Sequence, residues 1–295
     1  MHSSKIKLFY LSCFILGSTF IMAGCQKNES HHTEAQAASQ PITQPAEITF
    51  NGQITTFPIS LNNCSGNNCP EFSVKRLQSN FKFIDQTIEQ ASLDQLKQIL
   101  DSSDATPSMN KAVASTVQQS QDSYVEQVQQ YADAFMSLDQ ELKKLSANGN
   151  ISLHIEPKII KQTPQMVVVQ LSTDSFLGGA HGSASQQYFN FNLKTKQQLQ
   201  LSDILEQGKE KELEKLAHDQ FEKWIKRENL ADSISDYEEA WAFKLSNNFY
   251  FNDKGLVLQY GEYEIGPYVV GMPSFTIGYE QLVGVVKPNY LPKNM

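Results

Sequence analysis

The hydrophobic period of the chain changes near residue 150, and that change sets the class of fold. Before it, Tyr124, Val128, Tyr131, Phe135, Leu138, Leu142 and Leu145 recur at alternating intervals of four and three, the spacing of one apolar face of a helix. The seam spans only about three heptads with few flanking charges, so it reads as one long helix laid across a sheet rather than as a coiled coil. "ANGN" at Ala147–Asn150 ends it, with Gly149 as the helix stop. After it the period is two. "ISLHIEP" puts Ile151, Leu153 and Ile155 on one face and His154 on the solvated other. "QMVVVQLST" has no polar face and fits a central strand, and "QQYFNFNL" sets Tyr188, Asn190 and Asn192 opposite Phe189, Phe191 and Leu193.

The rest of the chain extends this pattern. "ITFNGQITTFPISL" and "EFSVKRL" are strand-like and flank a cysteine loop. In "FIDQTIEQASLDQLKQIL", Ile84, Ile88, Leu96 and Ile99 keep helical spacing, with Ser92 and Gln95 in a capping-box arrangement that would restart the helix. A further amphipathic helix from about Lys209 to Glu228 would bury Leu213, Leu216, Phe221, Trp224 and Ile225 and leave His218 exposed. "FYFND", the turn "DKG", "LVLQY" and "SFTIGY" read as late hairpin strands, closed by a helical turn in "YEQLVGVV". The expected fold is α+β, a largely antiparallel sheet packed against a few long helices. It would occupy residues 48–295, an N-terminal strand and helix half (48–150) interlocked with a C-terminal half (151–295).

The amino terminus points to export. Lys5 and Lys7 precede an apolar run, Leu8–Ala23, that is too short to span a bilayer and ends in "IMAGC" at Cys25. The stretch resembles a bacterial lipobox, with Met22 where leucine is usual. Residues 1–24 would be a signal peptide, Cys25 the lipidated residue, and 25–47 a tether with a reach of roughly 25 Å. Gln26 in place of aspartate points to the outer membrane, facing periplasm or surface. His31 and His32 lie in this tether and lack the fixed geometry of a metal site. Removing residues 1–24, which carry two lysines and no acid, takes the formal charge from -8 to -10. An acidic domain argues against nucleic acid and suits cationic partners. In an oxidising compartment, Cys64 and Cys69 in "NNCSGNNCPE" should bond to each other, no second pair being present to complete a zinc site.

Two stretches stand apart: "GGAHGSASQQYFNFNLKTKQQLQLSDIL" and "NNFYFNDKGLVLQYGEYEIGPYVVGMPSFTIGYEQL". The Gly178-Gly179-Ala180-His181-Gly182 loop, "NFNLKT" with "LSDIL", and the Tyr263-Glu264-Ile265-Gly266-Pro267-Tyr268 corner followed by Gly271 resemble the extracytoplasmic module of the lysozyme-sensing anti-sigma factor RsiV. That module also stands beside peptidoglycan deacetylases and in envelope lipoproteins of unknown function. Asn192 and Lys196 depart from an aspartate and a glycine common in it. The resemblance implies a non-catalytic envelope module that binds a lysozyme-type muramidase or a cell-wall component. The metal-dependent deacetylase chemistry is not implied, because no two histidines stand four apart.

The candidate functional loop is therefore Gly178, Gly179, His181 and Gly182, and the candidate binding corner is Tyr263, Glu264, Pro267 and Tyr268. The glycines would allow positive φ and close backbone approach, His181 would lock the turn through its ring nitrogens, and Glu264 would be an acidic contact. The competing expectation is a hydrolase centred on His181, with Ser183 or Ser185 as nucleophile and Asp174 or Asp203 orienting the imidazole. No catalytic or metal-ligand set and no cofactor fingerprint is recognised elsewhere.

Overall fold

Val167, Val168, Val169 and Leu171 have no solvent face, and the structure buries all four to 1% exposure or less. The computed structural model describes residues 48–61, 64, 69–101, 121–145 and 150–293. The signal segment, Cys25, the tether with His31 and His32, and the helix stop at Gly149 lie outside the described residues. Strands β1 (Gly52–Thr55), β2 (Glu71–Val74) and β3 (Arg76–Ser79) precede helices α1 (Lys82–Asp101) and α2 (Gln121–Lys144). Strands β4 (Ser152–Gln162), β5 (Met166–Phe176), β6 (Ser183–Asn192) and β7 (Gln197–Leu199) follow. Helices α3 (Leu201–Ile204), α4 (Glu210–Glu228) and α5 (Ile234–Ala240) lead to β8 (Phe249–Phe251), β9 (Gly255–Gln259), β10 (Ser274–Gly278) and α6 (Tyr279–Leu282).

The main sheet has the order β2-β4-β5-β6-β7, which puts the apolar strand β5 at its centre. Its pairs are antiparallel except for parallel β2 and β4. A second antiparallel sheet runs β10-β9-β8, and β1 pairs with β3 in a short ribbon. The fold is thus α+β with sheets that are mostly antiparallel, as the change of period requires. Among the described residues no helix is long and apolar enough to cross a membrane.

There are two hydrophobic cores. The first runs from Phe50 to Leu193 and lies under α1 and α2, where Tyr124, Val128, Phe135 and Leu138 of the helical seam are buried. The second runs from Leu199 to Val286 around α4, with Leu213, Phe221, Trp224 and Ile225 inside. Strands β4, β5 and β6 pack on the helices that precede residue 150, so the change of core comes at the β6–β7 turn.

Three local expectations give way to packing. Ser92 caps nothing: α1 is continuous, and the buried Ser92 hydroxyl donates to the Ile88 carbonyl one turn back at 2.9 Å. Leu145, last in the seam, is 78% exposed because α2 ends at Lys144. His218 is half-buried, its Nε2 3.0 Å from Glu238 of α5 and its ring edge-on to Phe243.

The two cores meet along β6, whose faces are both covered. Asn190, 1% exposed, donates through Nδ2 to the Phe249 carbonyl at 2.7 Å, and Tyr188 stacks on Tyr250 with centroids 4.2 Å apart. Beyond its short pairing with β7, the free edge of β6 is held by one side chain. Asn248 Oδ1 accepts from Tyr188 N at 2.8 Å, and its Nδ2 donates to Gln186 O at 2.7 Å. An amide thus stands in for a strand neighbour and ties the second sheet to the first. Asn248→Ala should cost about 2 kcal/mol, roughly one for each bond lost, read as a lower urea midpoint with unchanged m-value.

Cys64 and Cys69 are bonded to each other, with Cα atoms 5.6 Å apart. Mass spectrometry of the unreduced chain should find the pair two hydrogens lighter than two free thiols. Reduction should cost about 2 kcal/mol, the loop-entropy value for so short a ring.

Candidate functional site

The glycine loop and the proline corner come together. The loop joins β5 to β6. Gly178 and Gly179 have φ of +91° and +96°, the left-handed region open to glycine. Gly182 serves differently: its φ is not positive, but a Cβ there would lie 2.8 Å from the Ser175 carbonyl oxygen. The corner is built from the second core. Ile265 is fully buried, and the Tyr237 hydroxyl of α5 donates to its carbonyl at 3.1 Å. Pro267 then opens a 3-10 turn, Tyr268–Val270, that ends at Gly271 with φ of +65°.

His181 and Tyr268 stack with ring centroids 3.8 Å apart and planes 22° from parallel. The Gly182 carbonyl accepts twice, from His181 Nδ1 at 2.9 Å and from the Tyr268 hydroxyl at 3.1 Å. Because that oxygen only accepts, Nδ1 carries the proton. Nε2 of the neutral ring is then the acceptor facing the Tyr263 hydroxyl, 82 residues away in sequence, at 3.4 Å. Tyr263 lies 5.8 Å from Tyr268, centroid to centroid. The imidazole thus bonds the backbone of its own turn through Nδ1 and faces the second loop through Nε2, at an exposed position.

Tyr263 is the strained member. Its φ is +61°, in the left-handed region, a cost on the order of 1 kcal/mol for a residue with a side chain. The residue is 51% exposed, and Val269 in the 3-10 turn is 88% exposed. Glu264 is turned inward: its Oε2 accepts from Gly261 N at 2.8 Å and closes the bend. The acidic contact facing the loop is Glu262, which accepts from the Ser183 hydroxyl at 3.1 Å. Sequence reasoning passed over both Glu262 and Val269. The available signal was that they flank the corner's buried residues in a stretch otherwise needed for turning.

The hydrolytic relay is not assembled. Ser183 is bonded to Glu262, Ser185 donates to Gln95 Oε1 at 3.2 Å, and Asp203 accepts from Gln200 N in the capping box of α3. Asp174 stands in the β5 ladder opposite His154 and Ala184. Among the described residues no group of three or more His, Cys, Asp and Glu is placed to hold a metal. What remains is an aromatic and acidic platform, presented outward and fixed by hydrogen bonds.

Comparison with known proteins places this architecture. A solved DUF3298 family protein from Pseudomonas aeruginosa PAO1 aligns over 84% of this chain and 99% of its own, with a TM-score of 0.63 and 23% identity. Another member, from Bacteroides fragilis NCTC 9343, aligns over 82% of this chain and 94% of its own, with a TM-score of 0.56 and 16% identity. At such identities the likeness is one of fold. The peptidoglycan-N-acetylmuramic acid deacetylase PdaC of Bacillus subtilis (strain 168) is 23% identical over 169 residues, 57% of this chain and 35% of PdaC. The chain thus spans about a third of the length of that relative. Residues 202–280, the stretch that builds most of the second core and the whole proline corner, match the family described as "Protein of unknown function (DUF3298)".

Proposed function

We propose that the chain is a non-catalytic binding module of the bacterial cell envelope, RsiV-like, anchored to the outer membrane through lipid on Cys25, whose partner is a cationic lysozyme-type muramidase. The platform of His181, Tyr263, Tyr268 and Glu262 carries this reading. Two loops 82 residues apart in sequence converge to hold rings outward at a cost in backbone strain, which folding alone does not call for. The exposed Tyr263 and the half-buried Tyr268, both held in place by the fold, are suited to be binding hot spots. The carboxylate of Glu262 on the same loop, within a chain of formal charge -8, would steer a basic partner and make the contact sensitive to salt. The stretch shared with a peptidoglycan deacetylase supports the cell wall as the setting, and a wall glycan stacked on the same rings is the second reading.

Calorimetry of the mature chain against several lysozymes tests the proposal. A dissociation constant of about 1 μM or tighter is expected near physiological salt, roughly -8 kcal/mol, weakening as salt rises. No heat with any lysozyme at tens of micromolar removes the muramidase, and binding to purified peptidoglycan alone selects the glycan.

A further inference from the structure

The far end of the central strands holds a second candidate site. Strand β5 carries Phe176, next to the platform loop, at one end and Met166 at the other, roughly 33 Å away at the rise of an extended strand. Around Met166 opens a cavity of about 450 Å³, within the range of roughly 300–1,000 Å³ of small-molecule sites. It lies between the β4–β5 turn, the β6–β7 turn and the segment after α6.

Three aromatic rings form one wall. Tyr279 and Tyr290 lie parallel to the buried Phe251, their planes 4° and 3° from its own and their centroids 6.4 and 6.1 Å away. The Tyr279 hydroxyl is committed to the Asn252 carbonyl at 2.7 Å, which fixes that ring. The Tyr290 hydroxyl has no hydrogen-bond partner among the described residues, and both tyrosines are partly open to solvent. The rim carries Lys161 and Lys293, neither of them in an ion pair or hydrogen bond among the described residues. The lining contains no carboxylate, although the chain has 32 acidic residues against 24 basic ones.

We infer that this cavity binds an anionic saccharide, a pyranose bearing a carboxylate. Its apolar C–H face would lie on the electron-rich faces of the tyrosines, whose quadrupole is negative there. Its charge would sit between the two uncommitted ammonium groups, and its hydroxyls would meet the side-chain amides of Asn192 and Asn289. A neutral sugar meets only half of that chemistry. The site is independent of the platform, and it rests on the envelope reading only for the choice of probe.

Saturation-transfer NMR and calorimetry of the full chain with N-acetylmuramic acid and with N-acetylglucosamine decide the matter. N-acetylmuramic acid should bind saturably at millimolar concentration or below, at least fivefold more tightly than N-acetylglucosamine. The double substitution Lys161→Gln/Lys293→Gln, which keeps most of each side chain's length and removes its charge, should remove that advantage and leave lysozyme binding unchanged. Equal binding of the two sugars, no saturable binding up to tens of millimolar, or an unaltered preference in the double variant would overturn the inference. Loss of lysozyme binding in the wild type would leave it standing.

Discussion

Arg76→Met is expected to destabilise the chain by about 3–5 kcal/mol at pH 7 and by clearly less near pH 4. Arg76 is 8% exposed, lies 5.2 Å from the Tyr124 ring centroid and pairs with Glu89 of α1, whose side chain is 15% exposed. Burial pushes the Glu89 carboxyl above its ordinary range, and the guanidinium beside it pulls the other way. Removing the guanidinium leaves only the upward push. Asp85, one turn earlier on α1, is also raised by burial despite the hydrogen bonds from Ser79, and it too loses a nearby cation. A carboxyl whose folded pKa lies above its unfolded value binds more protons when folded. Its contribution to stability is therefore complete below the unfolded pKa and is lost as pH rises through the folded one. The deficit of the variant should accordingly be largest at neutral pH and shrink where Glu89 takes up a proton. Urea unfolding at pH 7 and near pH 4 reads this directly. Adding Glu89→Leu should restore most of the loss, since an apolar pair of similar volume needs no desolvation. A deficit that is the same at both pH values would mean that packing of the Arg76 stem, rather than its charge, holds the site.

The parts of the fold that follow one periodic rule were legible in the sequence, and the parts set by a second covering layer were not. The seam of α2 and the central place of β5 follow from which residues must leave water, a property each segment carries by itself. Strand β6 breaks that rule. Its alternation sets Tyr188, Asn190 and Asn192 opposite the apolar Phe189, Phe191 and Leu193 and says nothing of what covers them, yet the second core lies over Asn190 and puts the Phe249 carbonyl within reach of its amide. Asn248 is still less visible, because a polar residue before a strand gives no sign that it will close the edge of a different sheet. At the platform, glycines and proline marked both loops as turns and singled out His181 and Tyr268. Their stacking depends on how the second core sets the corner against the β5–β6 loop, which no local pattern encodes. The same gap explains Glu264, read as a surface contact from its charge and found closing its own bend.

Tyr268→Ala should weaken binding of the lysozyme-type partner by at least about 2 kcal/mol, on the order of thirtyfold, the scale of a central aromatic hot spot. The substitution removes the ring under His181 and one of the two donors to the Gly182 carbonyl, so it loosens the loop as well as the contact. Tyr263 separates these two effects. In Tyr263→Gly the left-handed backbone is no longer strained, a gain of about 1 kcal/mol set against the greater freedom of glycine in the unfolded chain. Thermal stability should hold or rise slightly, while affinity falls because the exposed Tyr263 ring is gone. His181→Ala should cost less than about 1 kcal/mol of stability, because the imidazole is exposed and its bond to Gly182 competes with water. If calorimetry shows that Tyr263→Gly lowers stability as much as affinity, the ring belongs to the fold and the binding surface lies elsewhere. If affinity alone falls, the strain at Tyr263 is there to present that ring to a partner.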